Sequence, residues 1–570
     1  MRHSTSIAGL ALAAALTASG EAGQRGTVRN SPTQAPAYLD VSRDAGLAFT
    51  NVNGASAQKR LVETMGSGGL FFDFDNDGWI DIFLVDGGSE ADPAVARTAR
   101  HRLYRNRRNG TFEDVTSSSG IRHREYGMGA CAGDYDNDGL VDLYVTNVGP
   151  NVLYRNSGGG AFTDVTQKAG VASALWGTSC AFADFDRDGR LDLFVTNYVE
   201  MGKDRDRFCG STRPMVRQYC HPLVFQSAPN VVYRNAGNGT FTDVTARAAV
   251  AAQRGNGLGV AVADYDDDLW PDVFVANDGV PNFLFRNDGR GGFTDVALVA
   301  GVSSASDGRS RAGMGTAFGD VDGDGRLDLV VTNHETEMHS LFKNLGNGSF
   351  ADATVESGVG PATLPYVGFG VVLADYDNDG DLDLAIVNGH VIDNVALVRS
   401  GATHAQARLL LQNGGTGRFT DVSAQSGPAF GVSAVGRGLA AGDIDNDGDL
   451  DLLATSNGGP AALLRNDGGN RSNALLVRLT GTMSNRDGIG ARLRATTGAR
   501  TQMRELTSGS SYLSQNDARV HLGLGSAAMV DRLEIRWPSG RTETLEKVSA
   551  NQIITVRERE GIVGTAPLAR

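Results

Sequence analysis

The sequence predicts an all-β protein: a seven-bladed β-propeller followed by a small β-sandwich-like domain. Three observations point there. An acidic nonapeptide recurs seven times at steps of 50 to 80 residues, and repeats of this period indicate a solenoid or propeller. Around each copy the chain reads as four short strands, the unit of a propeller blade. From Asn473 the repeats give way to alternating segments, ALLVRL, ARLRA, DRLEIRW and QIITVRE, separated by polar turns, which reads as a second, small all-β domain.

The N-terminus has a short basic start at Arg2 and His3, an apolar run from Ile7 to Ala18, and small residues at Ala18, Gly20 and Ala22. That is a secretory signal pattern over residues 1–22, with 23–37 as a linker, so the protein is expected to be secreted or periplasmic. No later run is long enough for a membrane span. The formal net charge of -14 lacks the basic footprint of a nucleic-acid binder and fits bound cations instead.

The copies are DFDNDGWID from Asp73, DYDNDGLVD from Asp134, DFDRDGRLD from Asp184, DYDDDLWPD from Asp264, DVDGDGRLD from Asp320, DYDNDGDLD from Asp375 and DIDNDGDLD from Asp443. A small-residue strand precedes each loop, as in GVAVAD from Gly259. Its Gly and Ala allow close approach around a central axis. An alternating strand follows, such as LDLFVTN from Leu191, with Leu191, Leu193 and Val195 on one face. The third strand carries LYRN at Leu103 and Leu153, and the fourth FTDV at Phe162 and Phe241. The repeats place the propeller at 38–467. The last unit has no FTDV strand, whereas YLDVSRDAGLAF from Tyr38 has no unit before it. Tyr38 to Phe49 is therefore expected to complete the last blade, closing the ring and removing an exposed edge.

Within each loop, carboxylates fall at positions 1, 3, 5 and 9, with Gly at position 6 for the turn. The candidate ligands are Asp73, Asp75, Asp77 and Asp81; Asp134, Asp136, Asp138 and Asp142; Asp184, Asp186, Asp188 and Asp192; Asp264, Asp266, Asp268 and Asp272; Asp320, Asp322, Asp324 and Asp328; Asp375, Asp377, Asp379 and Asp383; and Asp443, Asp445, Asp447 and Asp451. Closely spaced oxygen donors on a tight loop suit calcium better than magnesium, so up to seven Ca2+ ions are expected. The loops are not EF-hands: strands flank them, and Leu84 and Ile386 stand where the closing Glu would be. The loop at Asp264 departs from the pattern, with Leu269 at position 6 and Pro271 after it. That site is expected to be weak, distorted or empty.

Cys209 and Cys220 bracket a polar insertion and are expected to pair in an oxidising compartment. Cys131 and Cys180 lie on small-residue strands, either as buried thiols or as an inter-strand bridge. Long insertions at Asp86–Arg102, Tyr198–Asn230 and His390–Arg408 follow second strands, which places them opposite the acidic loops and marks that face for a partner. Candidate partner-binding residues there are Tyr126, Trp176, His221, Tyr366 and His390. The segment NHETEMH supplies His334, Glu335, Glu337 and His339 but is not HExxH, and it reads as a polar loop. Trp537 and Tyr512 read as core aromatics of the second domain.

The acidic loops and the VTN and YRN strands resemble the FG-GAP or VCBS repeats of integrin α-subunit propellers and of many secreted bacterial proteins, over roughly Tyr38 to Asp467. The phrases SNRDGIGARLRA, GSSYLSQND, HLGLG and VDRLEIRWPSG are similar to the ASPIC/UnbV domain, over 473–558, with 559–570 as a tail. The two domains in this order resemble cartilage acidic protein and its bacterial relatives. The resemblance implies calcium held structurally in the loops, an extracellular adhesive or scaffold role, and no established catalytic activity. A lectin-like propeller that binds carbohydrate through loop aromatics is the alternative. An enzyme acting on extracellular polymers is the third reading, and no GxSxG, HExxH or phosphate loop supports it. The partner is an extracellular protein or a glycan.

Overall fold

The computed structural model describes residues 37–570 apart from 123, 124 and 214. The expected signal segment and all of the linker but Ala37 lie outside these residues. Seven four-stranded antiparallel sheets follow one another, each built as inner strand, acidic loop and three further strands. Six inner strands are Gly69–Phe72, Tyr126–Gly133, Gly177–Ala183, Gly257–Ala263, Thr316–Gly319 and Gly368–Ala374; the seventh is Gly436–Gly442. In the last blade the outer strand is Tyr38–Asp40, paired with Ala462–Asn466 in the register Tyr38↔Asn466. The N-terminal segment therefore supplies the outer strand of the last blade.

Two repeated contacts join the blades. The Asn of each third strand donates its side-chain amide to a carbonyl in the preceding blade's acidic loop. Asn156 reaches Phe74 O at 2.8 Å, Asn235 reaches Tyr135 O at 2.7 Å, and Asn106 of the first blade reaches Ile444 O of the last at 2.8 Å. The aromatic ring at loop position 2 packs on the outer-strand ring of the next blade, as in Tyr135 with Phe241 and Phe185 with Phe293. Tyr38 takes the Phe role in the last blade, 6.1 Å from the Tyr376 ring. Each contact satisfies a buried polar group or buries an aromatic face, and the YRN and FTDV signatures arise from them.

The second domain is two four-stranded sheets. One runs Val520–Gly525, Asn473–Thr480, Gln552–Arg557, Gly561–Pro567; the other Arg500–Glu505, Arg492–Thr497, Met529–Arg536, Thr542–Ser549. Leu475, Leu493, Leu533, Ile554 and Trp537 fill the space between them. Residues 559–570, expected as a tail, instead carry the strand Gly561–Pro567, which pairs along Gln552–Arg557. Both disulfides are formed. Cys209–Cys220 closes a hairpin in the second insertion, and Cys131–Cys180 joins the inner strands of neighbouring blades.

A loop of the second domain, Ser508–Asp517, runs along the inner strands of the propeller. Leu513 accepts from Ala130 N and donates to Ser179 Oγ; Ser511 exchanges both backbone bonds with Thr316 and accepts from Val371 N; Gln515 accepts from Phe71 N and Ala132 N; Asn516 accepts from Ala441 N. In the remaining blade a Cβ at Gly259 would come within 3.0 Å of Ser511 O. The inner strands present unpaired backbone groups to the axis, and the plug satisfies them where water would otherwise be needed. Tyr512, expected in the core of the second domain, is instead fully buried inside the ring with Met65, Leu258 and Phe369. Sequence pattern counts its hydrophobicity but not the loop that carries it out of its own domain.

Candidate metal centres

The first loop shows how the chain builds its site. Asn76 and Gly78 take positive φ, +58° and +85°, and curl the backbone. The Asp73 carboxylate then accepts the N–H groups of Asp77 and Gly78, each at 3.0 Å. Asp81, opening the next strand, accepts from Phe74 N and from Asn106 N. Asp75 projects between them. Ligand oxygens of positions 1, 3 and 9 lie within 4.8 Å of one another in the trios Asp73/Asp75/Asp81, Asp134/Asp136/Asp142, Asp184/Asp186/Asp192 and Asp264/Asp266/Asp272.

Position 5, also expected as a ligand, is not in these trios. Its carboxylate caps the turn, as where Asp77 Oδ1 accepts from Trp79 N and Asp379 Oδ1 from Asp381 N, each at 2.9 Å. Its outer oxygen faces a cation in the first loops, such as Arg108 beside Asp77.

The trios carry uncompensated charge. Burial, with repulsion from neighbouring carboxylates, pushes Asp81 and Asp443 up to about 8 and Asp134, Asp184 and Asp328 up to about 7. A buried oxygen without a hydrogen-bond partner remains on Asp75, Asp136, Asp186, Asp266 and Asp445. Carboxylates so placed take up either a proton or a cation. An all-oxygen donor set of this kind fits a hard divalent ion such as calcium.

Arginines supply part of the compensation, a signal the sequence analysis missed. The Arg of the YRN strand reaches the position-3 carboxylate of its own blade, at 2.9 Å for Arg105–Asp75 and Arg286–Asp266 and 2.6 Å for Arg155–Asp136. The second domain lies on the loop face and adds its own. Arg478 approaches Asp73, Arg519 donates to Asp443 O, and Arg500 pairs with Asp381. The divergent loop at Asp264 receives two. Arg536 lies 2.7 Å from Asp264, and Arg492 lies 2.9 Å from Asp267 and 2.6 Å from Glu505. Leu269 takes φ +76°, the conformation that Gly adopts in the other loops.

On the opposite face the three insertions touch one another: Arg205 lies 3.2 Å from Glu90, and Asn394 donates to Arg217 O at 3.0 Å. The candidate partner residues there divide. Tyr126 and Trp176 are buried, with the Tyr126 hydroxyl donating to Asn53 O and Val62 O. Their rings belong to the core around the plug, which corrects the expectation that they are presented to a partner. His221 is exposed and Tyr366 half-buried. His390 is buried, and its Nε2 lies 3.0 Å from Glu335 Oε1. His334, Glu335 and His390 come together within 4.8 Å, a grouping invisible in a sequence that separates them by a whole repeat. His390 Nδ1 accepts from Ile392 N at 2.9 Å, so Nε2 carries the proton and donates. Arg399 pairs with the same Glu335 oxygen, and the group is a hydrogen-bonded charge network.

His339, from the same NHETEMH segment, is fully buried, and its Nδ1 accepts from Asn333 N. Burial, with the nearby Arg311 charge, lowers it from 6.5 to about 3. The folded protein thus keeps it neutral while the unfolded chain protonates it. Its contribution is complete above pH 6.5 and is lost as pH falls toward 3. At pH 4.5 the loss is about 3 kcal/mol. Urea melts at pH 7 and pH 4.5 are expected to differ by that much less in His339→Gln than in the parent chain.

The FG-GAP-like repeat pattern matches residues 73–145, 134–195, 223–275, 264–331, 320–386 and 388–454. The chain belongs to the FG-GAP-like repeat family. In this FG-GAP protein the pattern of ASPIC and UnbV matches 481–563. It is 29% identical over 338 residues to Cartilage acidic protein 1 of Mus musculus, covering 57% of this chain and 49% of that one. The Homo sapiens protein is also 29% identical, over 57% and 48%. The chain spans about half the length of these relatives. Among solved structures it is similar to an Agrocybe aegerita lectin recognising non-reducing terminal N-acetylglucosamine (TM-score 0.37, 15% identity, 69% of this chain and 87% of that). It is also similar to YCF48 bound to D1 peptide (TM-score 0.41, 9% identity, 77% and 99%). No helix among the described residues is long and apolar enough to cross a membrane.

Proposed function

We propose that the protein is an exported, calcium-cemented propeller that works as an extracellular binding or scaffold protein. The observation that carries this reading is the convergence of carboxylates at positions 1, 3 and 9 in the first four loops, where Asp75, Asp136, Asp186 and Asp266 each keep a buried oxygen without a hydrogen-bond partner among the described residues. Two disulfides and the signal pattern support export into an oxidising compartment. The insertion face is then the surface left for an extracellular partner, since the second domain covers the loop face.

The test is thermal unfolding of metal-stripped protein titrated with calcium, with magnesium as control. A calcium-selective rise in Tm is expected, because an ion bound only by the native state stabilises it by mass action. Asp377→Ala, which removes a nearly buried position-3 carboxylate, is expected to lower Tm in saturating calcium and to change it little in chelator. Equal melting of the parent protein with and without calcium would remove the reading.

A further inference from the structure

Between the loop face of the propeller and the second domain lies a cavity of about 480 Å3. That is the size range of small-ligand pockets, which favour domain interfaces. One wall is apolar: Trp79 and Ile80 from the first blade, Val141 from the second, and Leu479, Ile489 and Ile553 from the second domain. Several polar groups that line it are already used. Asp517 accepts both the backbone N–H and Nε of Arg519, whose remaining nitrogens donate to Asn446 Oδ1 and Asp443 O. Gln515 holds Ala132 N and O.

What remains is a specific set. Asp487 Oδ2 accepts from Asp134 N at 2.7 Å, and its other oxygen has no hydrogen-bond partner among the described residues. Trp79 contributes an indole N–H, and Thr507 and Thr555 contribute hydroxyls, likewise without partners among those residues. Arg478 donates one nitrogen to Asn76 Oδ1 and has another 3.4 Å from Asp73. Asp73 and Asp77 also line the cavity, Asp73 beside Arg478 and Asp77 beside Arg108; with Arg519 and Asp517 paired, the lining keeps the negative charge of Asp487 and turns away an anionic ligand. A carboxylate and a guanidinium bind neighbouring hydroxyls, and an indole covers the C–H face of a ring.

We infer that this cavity binds a neutral mono- or disaccharide, with Trp79 as platform and Asp487 and Arg478 as hydroxyl partners. The inference goes beyond the calcium reading and stands without it. It moves carbohydrate recognition from the insertion face to the interface between the domains.

The test is calorimetric titration of the full mature chain, in calcium-saturated buffer, with glucose, galactose, mannose, N-acetylglucosamine, cellobiose and lactose. At least one is expected to bind, and Trp79→Ala and Asp487→Asn each weaken it by about tenfold or more, while Arg309→Ala at a remote exposed site leaves it unchanged. Should either variant melt abnormally, Trp79→Phe decides: the sugar-induced change in tryptophan emission is then lost although Trp176, Trp270 and Trp537 remain. No binding of any of the six at about 10 mM by natively melting protein overturns the inference, as does binding indifferent to these substitutions. The calcium melts involve no sugar, so the two readings fail separately.

Discussion

Tyr512→Ala is expected to lower the unfolding free energy by about 4 kcal/mol. The side chain is fully buried, its ring meets Phe369 edge-on at 4.9 Å between centroids, and its hydroxyl donates to Met65 O at 3.0 Å. Truncation leaves a void among Met65, Leu258 and Met314, which pack around the ring. Tyr512→Phe removes only the hydrogen bond and is expected to cost about 1 kcal/mol. Urea unfolding of both variants measures the pair. An Ala cost no greater than the Phe cost would mean that the plug does not pack the axis.

Arg492→Ala is expected to destabilise by a similar amount, about 4 kcal/mol, because it leaves a buried carboxylate without its cation. Arg492 is 4% exposed and Glu505 equally so, with Arg492 Nη2 also donating to Asp264 O at 2.5 Å. The loss comes from the stranded charge of Glu505 rather than from a missing attraction, since Asp264 keeps Arg536 at 2.7 Å. The double variant Arg492→Met with Glu505→Met, which removes charge from both sides, is therefore expected to recover most of the stability. Denaturant melts of the single and double variants check this. Equal loss in both would assign the effect to packing alone.

The ring was legible because its cause is local and repeated. Asp at alternate positions, Gly at position 6 and Asn after the third-strand Arg each answer a backbone need that recurs in every blade, so seven copies reinforce one reading. Tyr38 was legible for the same reason: a strand signature stood where no unit accompanied it. The plug was not. Gly509, Ser510, Ser511 and Ser514 have no periodicity, and a loop of small polar residues reads as solvent-exposed. Gly509, Ser511 and Ser514 are buried, and Ser510 partly so, because the inner strands hold unpaired N–H and C=O groups that such residues can meet. The meeting of His334 with His390, and of Arg492 with Asp264, escaped notice because each joins distant segments through tertiary geometry alone. At the loops, the residue types pointed to cation chemistry, while the arginines that share that task looked like ordinary surface charge.

The plug also bears on synthesis. Ser508–Asp517 is made after every blade, yet it lies along the inside of them all. Until those residues leave the ribosome, the inner strands face one another across an unfilled bore. A chain ending early, even with all seven repeats intact, leaves Phe71 N, Ala130 N, Thr316 N, Val371 N and Ala441 N without the partners that this segment supplies. The last hundred residues thus serve as a proof of completeness: only a chain translated to its second domain can seal its own centre.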